Sequence, residues 1–298
     1  MNLESIQVIT LFLDITLVLS ILVMKLFMRS SIGVALKHSK ERWECSMEPK
    51  VDVVLNCYRR TRWLDEQIKA VDNQTIKVNQ IYGWRNSSEQ EVSQELQDRM
   101  IFANCNQNLG VWSRFAFALN STADYVCVLD DDTIPGEKWI ENCLQTMKTH
   151  EGLLGTVGVL FGDRHYSWQK LRRVGWCDPN EETTQVDIVG HSWFFPRDLL
   201  SVLWRELPTG EIPPIVGEDI HFSHMIQKYT DLATYVPPHP KDDKSLWGST
   251  KGEEYGHSQE GISMTRFSTQ SGQHFTAGQL MGVCLSRAVD DGFKMLEA

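Results

Sequence analysis

An α/β fold with a mostly parallel central sheet is what this sequence predicts, and three observations predict it. Apolar, β-branched runs of strand length alternate with stretches whose apolar residues recur at helical spacing. The clearest run, Tyr125-Val126-Cys127-Val128-Leu129, is followed at once by three carboxylates, Asp130-Asp131-Asp132. Charges at the carboxyl end of a buried strand lie where open α/β sheets present their ligands. Finally, 298 residues that are 42% hydrophobic suffice for one large α/β domain.

Taken in order, the elements begin after Pro49 with a strand over Val51 to Asn56. A helix follows over Trp63 to Val71, where Trp63, Leu64, Ile68 and Val71 share one face. Ile76 to Trp84 reads as a strand, Ser93 to Met100 as polar helix or loop, and Ile101 to Asn104 as a short strand. Asn108-Leu109-Gly110 turns the chain into a helix over Val111 to Leu119, which leads to the strand before the Asp triplet. Strands alternating with helices favour parallel pairing through right-handed crossovers. Further strands are expected over Gly155 to Phe161 and Gln185 to Val189, with Trp193 to Phe195 continuing the second. Helices are expected over Pro196 to Trp204 and Ile220 to Tyr229, with a short strand over Thr234 to Val236. Lys241 to Gly261 reads as a polar, mobile loop, and Thr276 to Leu296 as a closing helix.

The N-terminus differs in kind. Ile6 to Phe27 is almost wholly apolar, long enough to cross a bilayer as a helix, with Asp14 its one charge before Lys25. Lys25, Arg29, Lys37, Lys40 and Arg42 follow, against Glu4 before it, so the positive-inside rule places the body of the protein in the cytoplasm. The expected organisation is a single-pass anchor over 1–29, a juxtamembrane linker over 30–49 and one domain over 50–298. A net charge of −10, without a basic stripe, excludes a nucleic-acid binder. The seven dispersed Cys form no CxxC pair, which argues against a zinc ribbon or a disulfide framework.

Three adjacent Asp repel one another, and a hard divalent cation carrying a diphosphate would offset that repulsion. The segment Asn56-Cys57-Tyr58-Arg59-Arg60 ends the first strand, Arg114 follows the Asn108-Leu109-Gly110 turn, and Gly217-Glu218-Asp219 opens a helix. In this order and spacing the chain resembles the GT-A glycosyltransferases, in particular the large family-2-like group, over roughly Val51 to Pro240. The resemblance implies a GT-A (Rossmann-like) nucleotide-diphospho-sugar transferase fold and a hexosyl- or N-acetylhexosaminyl-transferase activity. Asn56, Tyr58, Arg59, Arg114, Asp130 and Asp131 would then meet the nucleotide sugar, with Asp130 nearer the ribose. Asp130 and Asp132 would hold Mn²⁺ or Mg²⁺, completed by His239, or by His257 as second choice. Asp219, or its neighbour Glu218, would be the general base, and Trp193 would stack on the acceptor sugar.

The implied partners are a UDP- or GDP-sugar and a glycan or lipid-linked acceptor, with inversion at the anomeric carbon. Three rivals remain at this point. A nucleotidyltransferase would open with a Gly-rich phosphate loop, yet Val51 to Arg60 has no Gly. An exostosin-like enzyme would retain stereochemistry. A non-catalytic module would bind the nucleotide sugar without turnover.

Overall fold

The computed structural model describes residues 48–58, 60–166, 170–207, 215–256, 266–268 and 274–296. The chain divides into two compact units, Met1–Glu48 and Pro49–Ala298. The apolar span expected to cross a membrane lies outside the described residues, as do Arg59 and His257. Among the described residues no helix is long and apolar enough to cross a membrane.

The second unit is built on a nine-stranded mixed sheet. Its first half is parallel: β1 (Val51–Cys57), β2 (Gln80–Asn86), β3 (Ile101–Cys105) and β4 (Tyr125–Leu129) lie in the order β3-β2-β1-β4. Period-two alternation in β1 and β4 builds two cores at once. Val54, Val126 and Val128 face the helices Ser113–Ala118 and Glu218–Tyr229 on one side. Val53, Leu55, Cys127 and Leu129 face Leu64–Asp72 and Trp139–Met147 on the other. The helix Trp139–Met147 has no counterpart among the expected elements.

Beyond β4 the sheet turns antiparallel, which is where the parallel expectation stops. Strand β5 (Gly152–Phe161) pairs on one side with β8 (Ile188–Pro196), which inserts between β4 and β5 and is antiparallel to both. On its other side β5 takes β9 (Ala233–Val236) in parallel and β6 (Leu171–Gly175) antiparallel. β7 (Thr184–Gln185) completes the edge against β9. Gly190-His191-Ser192 interrupts the apolar pattern of β8, and Trp193 to Phe195 continue the strand beyond it, as the sequence predicts. The backbone nonetheless continues through it, with His191 at φ +64°.

The mobile loop expected over Lys241 to Gly261 is corrected over its described part. Residues 241–256 carry a 3-10 turn, Lys244–Leu246, and a short helix, Gly252–Gly256. Gly136 N donates to Trp247 O at 2.9 Å, Lys138 N to Ser245 O at 2.8 Å and Thr250 N to Ile134 O at 2.7 Å. A Cβ at Gly248 would come within 2.0 Å of Thr156 Oγ1, so the strap is seated without a gap. Its far end stacks Tyr255 on Trp63 with ring centroids 4.0 Å apart, and Tyr255 Oη donates to Glu66 at 2.8 Å. The closing helix is Ala277–Asp290, started by a Thr276/Gln279 capping box.

Candidate active site

The triplet sits where β4 ends, and its backbone is pinned from two sides. Gln67, projecting from the helix Leu64–Asp72, donates to Asp130 O at 2.6 Å and Thr133 O at 2.9 Å. From β8, His191 O accepts Asp130 N at 3.0 Å and Thr133 Oγ1 at 2.9 Å. The antiparallel insertion of β8 therefore delivers His191 to the triplet. Asp130, Asp132 and His191 each offer one ligand atom, all within 4.8 Å of one another. Two hard carboxylates and a borderline imidazole form a donor set that fits Mn²⁺. His191 Nδ1 stands 3.7 Å from Asp132 Oδ1. Burial raises the Asp132 carboxyl, but the His191 side chain and the Arg60 charge outweigh it and hold it at about 2.

Two buried arginines balance the remaining charge. Arg60 Nε and Nη2 donate to Asp131 Oδ1 at 2.8 and 2.5 Å, and Nη1 donates to Asp132 Oδ2 at 2.6 Å. Asp131 thus braces the loop after β1. Arg114 donates through Nη1 to Asp130 at 2.5 Å and through Nη2 to Glu218 at 2.7 Å. Its guanidinium lies 4.5 Å from the Trp193 ring centroid, and its side chain is only 4% exposed. Arg114 thus ties Asp130 to the Glu218–Asp219 pair. Trp193 is 2% exposed, an anvil under Arg114 rather than a platform for a sugar.

Glu218 and Asp219 open the helix Glu218–Tyr229 behind Gly217, whose φ is +91°. A Cβ at Gly217 would meet Cys284 Sγ at 2.6 Å, so the turn is sterically reserved for glycine. Burial raises the Asp219 carboxyl to about 6, against the hydrogen bond from Ile220 N and the pull of Arg114. Burial also raises Glu218, against the same arginine. A carboxylate near 6 loses its proton within the neutral range, as a general base requires.

His239 is not brought to the triplet. It is fully buried, with Nδ1 at 2.8 Å from Pro237 O and Nε2 accepting Gly248 N at 3.1 Å. Thr156 Oγ1 lies a further 2.9 Å from that Nε2. Nδ1 is held at Pro237 O and Nε2 at Gly248 N and Thr156 Oγ1, so neither ring nitrogen is open to a metal, which corrects the ligand role expected of His239. The imidazole that lies beside Asp130 and Asp132 is that of His191, whose sequence signal is a polar break inside an apolar strand. Asn56, 9% exposed, pairs with Trp84 one residue before the end of β1. Tyr58 is half-buried and takes a 3.0 Å hydrogen bond from Asn108 Nδ2.

The profile of the family described as "Glycosyl transferase family 2" matches residues 52–204, just over half of the sequence. The chain belongs to glycosyl transferase family 2. Its fold is the GT-A fold of that family, and the match takes in β1, the Asp triplet and β8 but ends before Glu218. No curated protein matches it. Among solved structures, S. aureus TarS 1-349 in complex with UDP is 14% identical with a TM-score of 0.45, covering 63% of this chain and 60% of that one. The mannosyltransferase PcManGT from Pyrobaculum calidifontis, in complex with GDP-Man and Mn²⁺, is 16% identical with a TM-score of 0.44. That alignment covers 72% of this chain and 68% of that one. This family member thus spans about 60% of the TarS 1-349 chain.

Proposed function

We propose that this glycosyltransferase moves a sugar from a nucleoside-diphosphate sugar to an acceptor hydroxyl, with inversion, in a metal-dependent reaction. The observation that carries the reading is the convergence of Asp130, Asp132 and His191 at the end of β4, joined through Arg114 to Glu218 beside Asp219. A divalent ion held by the first three residues supplies positive charge where the departing diphosphate gains negative charge. The chain's own groups do the rest. Arg60 keeps Asp131 and Asp132 in place by charge-assisted hydrogen bonds. Arg114 orients Asp130 and Glu218 together, and Asp219 takes the proton from the attacking hydroxyl. A single base that activates the acceptor opposite the leaving group gives inversion.

The apolar span Ile6 to Phe27 is proposed to hold the enzyme at a membrane with its body on the cytoplasmic side, supported by hydropathy and flanking charge. Recovery in the soluble fraction at low salt without detergent would sink that localisation. For the reaction, a panel of UDP- and GDP-sugars is incubated with Mn²⁺ or EDTA, and donor hydrolysis and product anomer are followed. Turnover of one donor with Mn²⁺ and none with EDTA is expected. Equal turnover with EDTA would overturn the metal site, and a retained anomer would overturn Asp219 as the base for inversion.

A further inference from the structure

Asp130 and Asp132 leave the end of β4 while His191 comes from β8, so the donor set has two flanks that must be held at one spacing. The strap over residues 241–256 reaches both. On the β8 flank the backbone of Gly252 lies against Trp176, where a Cβ would come within 1.8 Å of the indole Nε1. Trp176 in turn stands edge-on to His191, with ring centroids 4.5 Å apart. On the β4 flank Ile134, two residues past Asp132, is held through its backbone. Ile134 N donates to Ser249 Oγ at 3.4 Å, and Ile134 O accepts Thr250 N at 2.7 Å and Thr250 Oγ1 at 3.2 Å.

The strap's last contact closes on the side chains that brace the triplet. Tyr255 stacks on Trp63 and donates to Glu66. Trp63 N donates to Arg60 O at 3.2 Å across the 3-10 turn Thr61–Trp63, and Arg60 is the cation that binds Asp131 and Asp132. Glu66 is followed in its helix by Gln67, whose amide holds Asp130 O and Thr133 O. One aromatic side chain, 189 positions from Glu66 in the sequence, thus steadies the turn and the helix that carry both braces. The near end of the strap is pinned separately, by the backbone bonds from Gly136 to Trp247 and from Lys138 to Ser245. The seat of Tyr255 is therefore a contact of its own.

We infer that Tyr255 is a positioning residue for the metal site. Its seat on Trp63 and Glu66 holds Arg60 and Gln67, and through them Asp130 and Asp132, at the spacing that a divalent ion needs. The inference rests on the reading of Asp130, Asp132 and His191 as the metal donors. Carboxylates that repel one another must be held together before the ion arrives, and the partners that orient them carry part of the metal affinity. Coupling of this kind is reciprocal. An ion bound by the ordered donors steadies the strap by the same factor by which the seated strap tightens the ion.

The test titrates the full chain with Mn²⁺ alone and follows affinity, melting temperature and amide hydrogen exchange over residues 247–255. Mn²⁺ is expected to slow exchange in the wild-type strap and to leave it unchanged in Asp132→Asn. Tyr255→Ala removes ring and hydroxyl together and is expected to weaken Mn²⁺ by about tenfold, the lower end of what outer partners of metal ligands contribute. Tyr255→Phe keeps the stack and should restore most of that affinity. Trp63→Leu removes the same stack from the other side, and joined to Tyr255→Ala it should weaken Mn²⁺ no further than the stronger of the two alone. Melting temperatures confine the comparison to folded protein. A folded Tyr255→Ala chain that binds Mn²⁺ as tightly as the wild type, or a wild-type strap whose exchange Mn²⁺ leaves unchanged, would overturn the inference alone. A wild type that binds no Mn²⁺, or an Asp132→Asn chain that binds it equally, would overturn the metal reading and the inference with it.

Discussion

Both terminal nitrogens of Arg114 are committed, one to Asp130 and one to Glu218, in a site almost closed to water. Removing one member of such a buried group leaves uncompensated charge, at a cost of about 3–5 kcal/mol. Arg114→Met is accordingly expected to lower stability by about 3 kcal/mol in urea unfolding and to abolish transfer. Arg114→Lys, a single point charge, should restore only part of either. As the proposed base Asp219 works only when deprotonated, and burial raises its carboxyl to about 6. The rate at limiting substrate should therefore be low below that pH, rise through it and level off above. Asp219→Asn should remove this limb and lower turnover by about 10²–10⁴-fold; a pH profile of the variant that keeps the limb would refute the assignment. His239 gives the opposite signature. Its ring seats Gly248 and Thr156, so His239→Ala should destabilise by about 2 kcal/mol through unmet buried partners. Mn²⁺ affinity of the folded fraction should stay unchanged, and a loss of metal binding there would reinstate His239 as a ligand.

At the scale of elements, β8 decides the site. Its antiparallel run between β4 and β5 sets Ser192 opposite Leu129, which carries His191 past the strand end to the triplet. The left-handed backbone at His191 turns the chain where the apolar pattern breaks. The Glu218–Tyr229 helix is set in the same exacting way by Gly217 at φ +91°, packed on Cys284 of the closing helix. Gly217→Ala combines a strained backbone with a clash, and is expected to destabilise by about 1–3 kcal/mol. Since that turn aims Glu218 and Asp219, turnover should fall further than stability does; thermal melts beside activity assays would show the difference. A variant with wild-type activity would mean that the turn does not position the base.

For the whole molecule, Asp130, Asp132 and His191 lie at the end of β4, a central strand of a nine-stranded sheet with packed cores on both faces, so a ligand there acts on the folded state as a whole. At about a hundred times its Kd, a ligand specific for the folded state adds about 2.7 kcal/mol. In a domain of this size that raises Tm by roughly 5–10 °C. Mn²⁺ should produce such a shift in the wild type and none in Asp132→Asn. An equal shift in the variant would place the metal elsewhere.

The sequence by itself determined the parallel half of this protein and the acidic end of β4. Strands β1 to β4 announce themselves because each is a local run with its own helix or turn signal, and three adjacent Asp behind a buried strand carry their chemistry in the open. The Gly217-Glu218-Asp219 turn was legible for the same reason: its residues are neighbours in the chain. Only the tertiary structure decided how these pieces are used. Arg60 meets Asp131 across 71 positions of sequence and Arg114 meets Glu218 across 104. Such pairings leave no local periodicity. His191 replaced His239 because strand insertion, a long-range event, sets which imidazole reaches the carboxylates and which is buried as a strut. Charge type is written along the chain, whereas charge partnership exists only once the chain has folded.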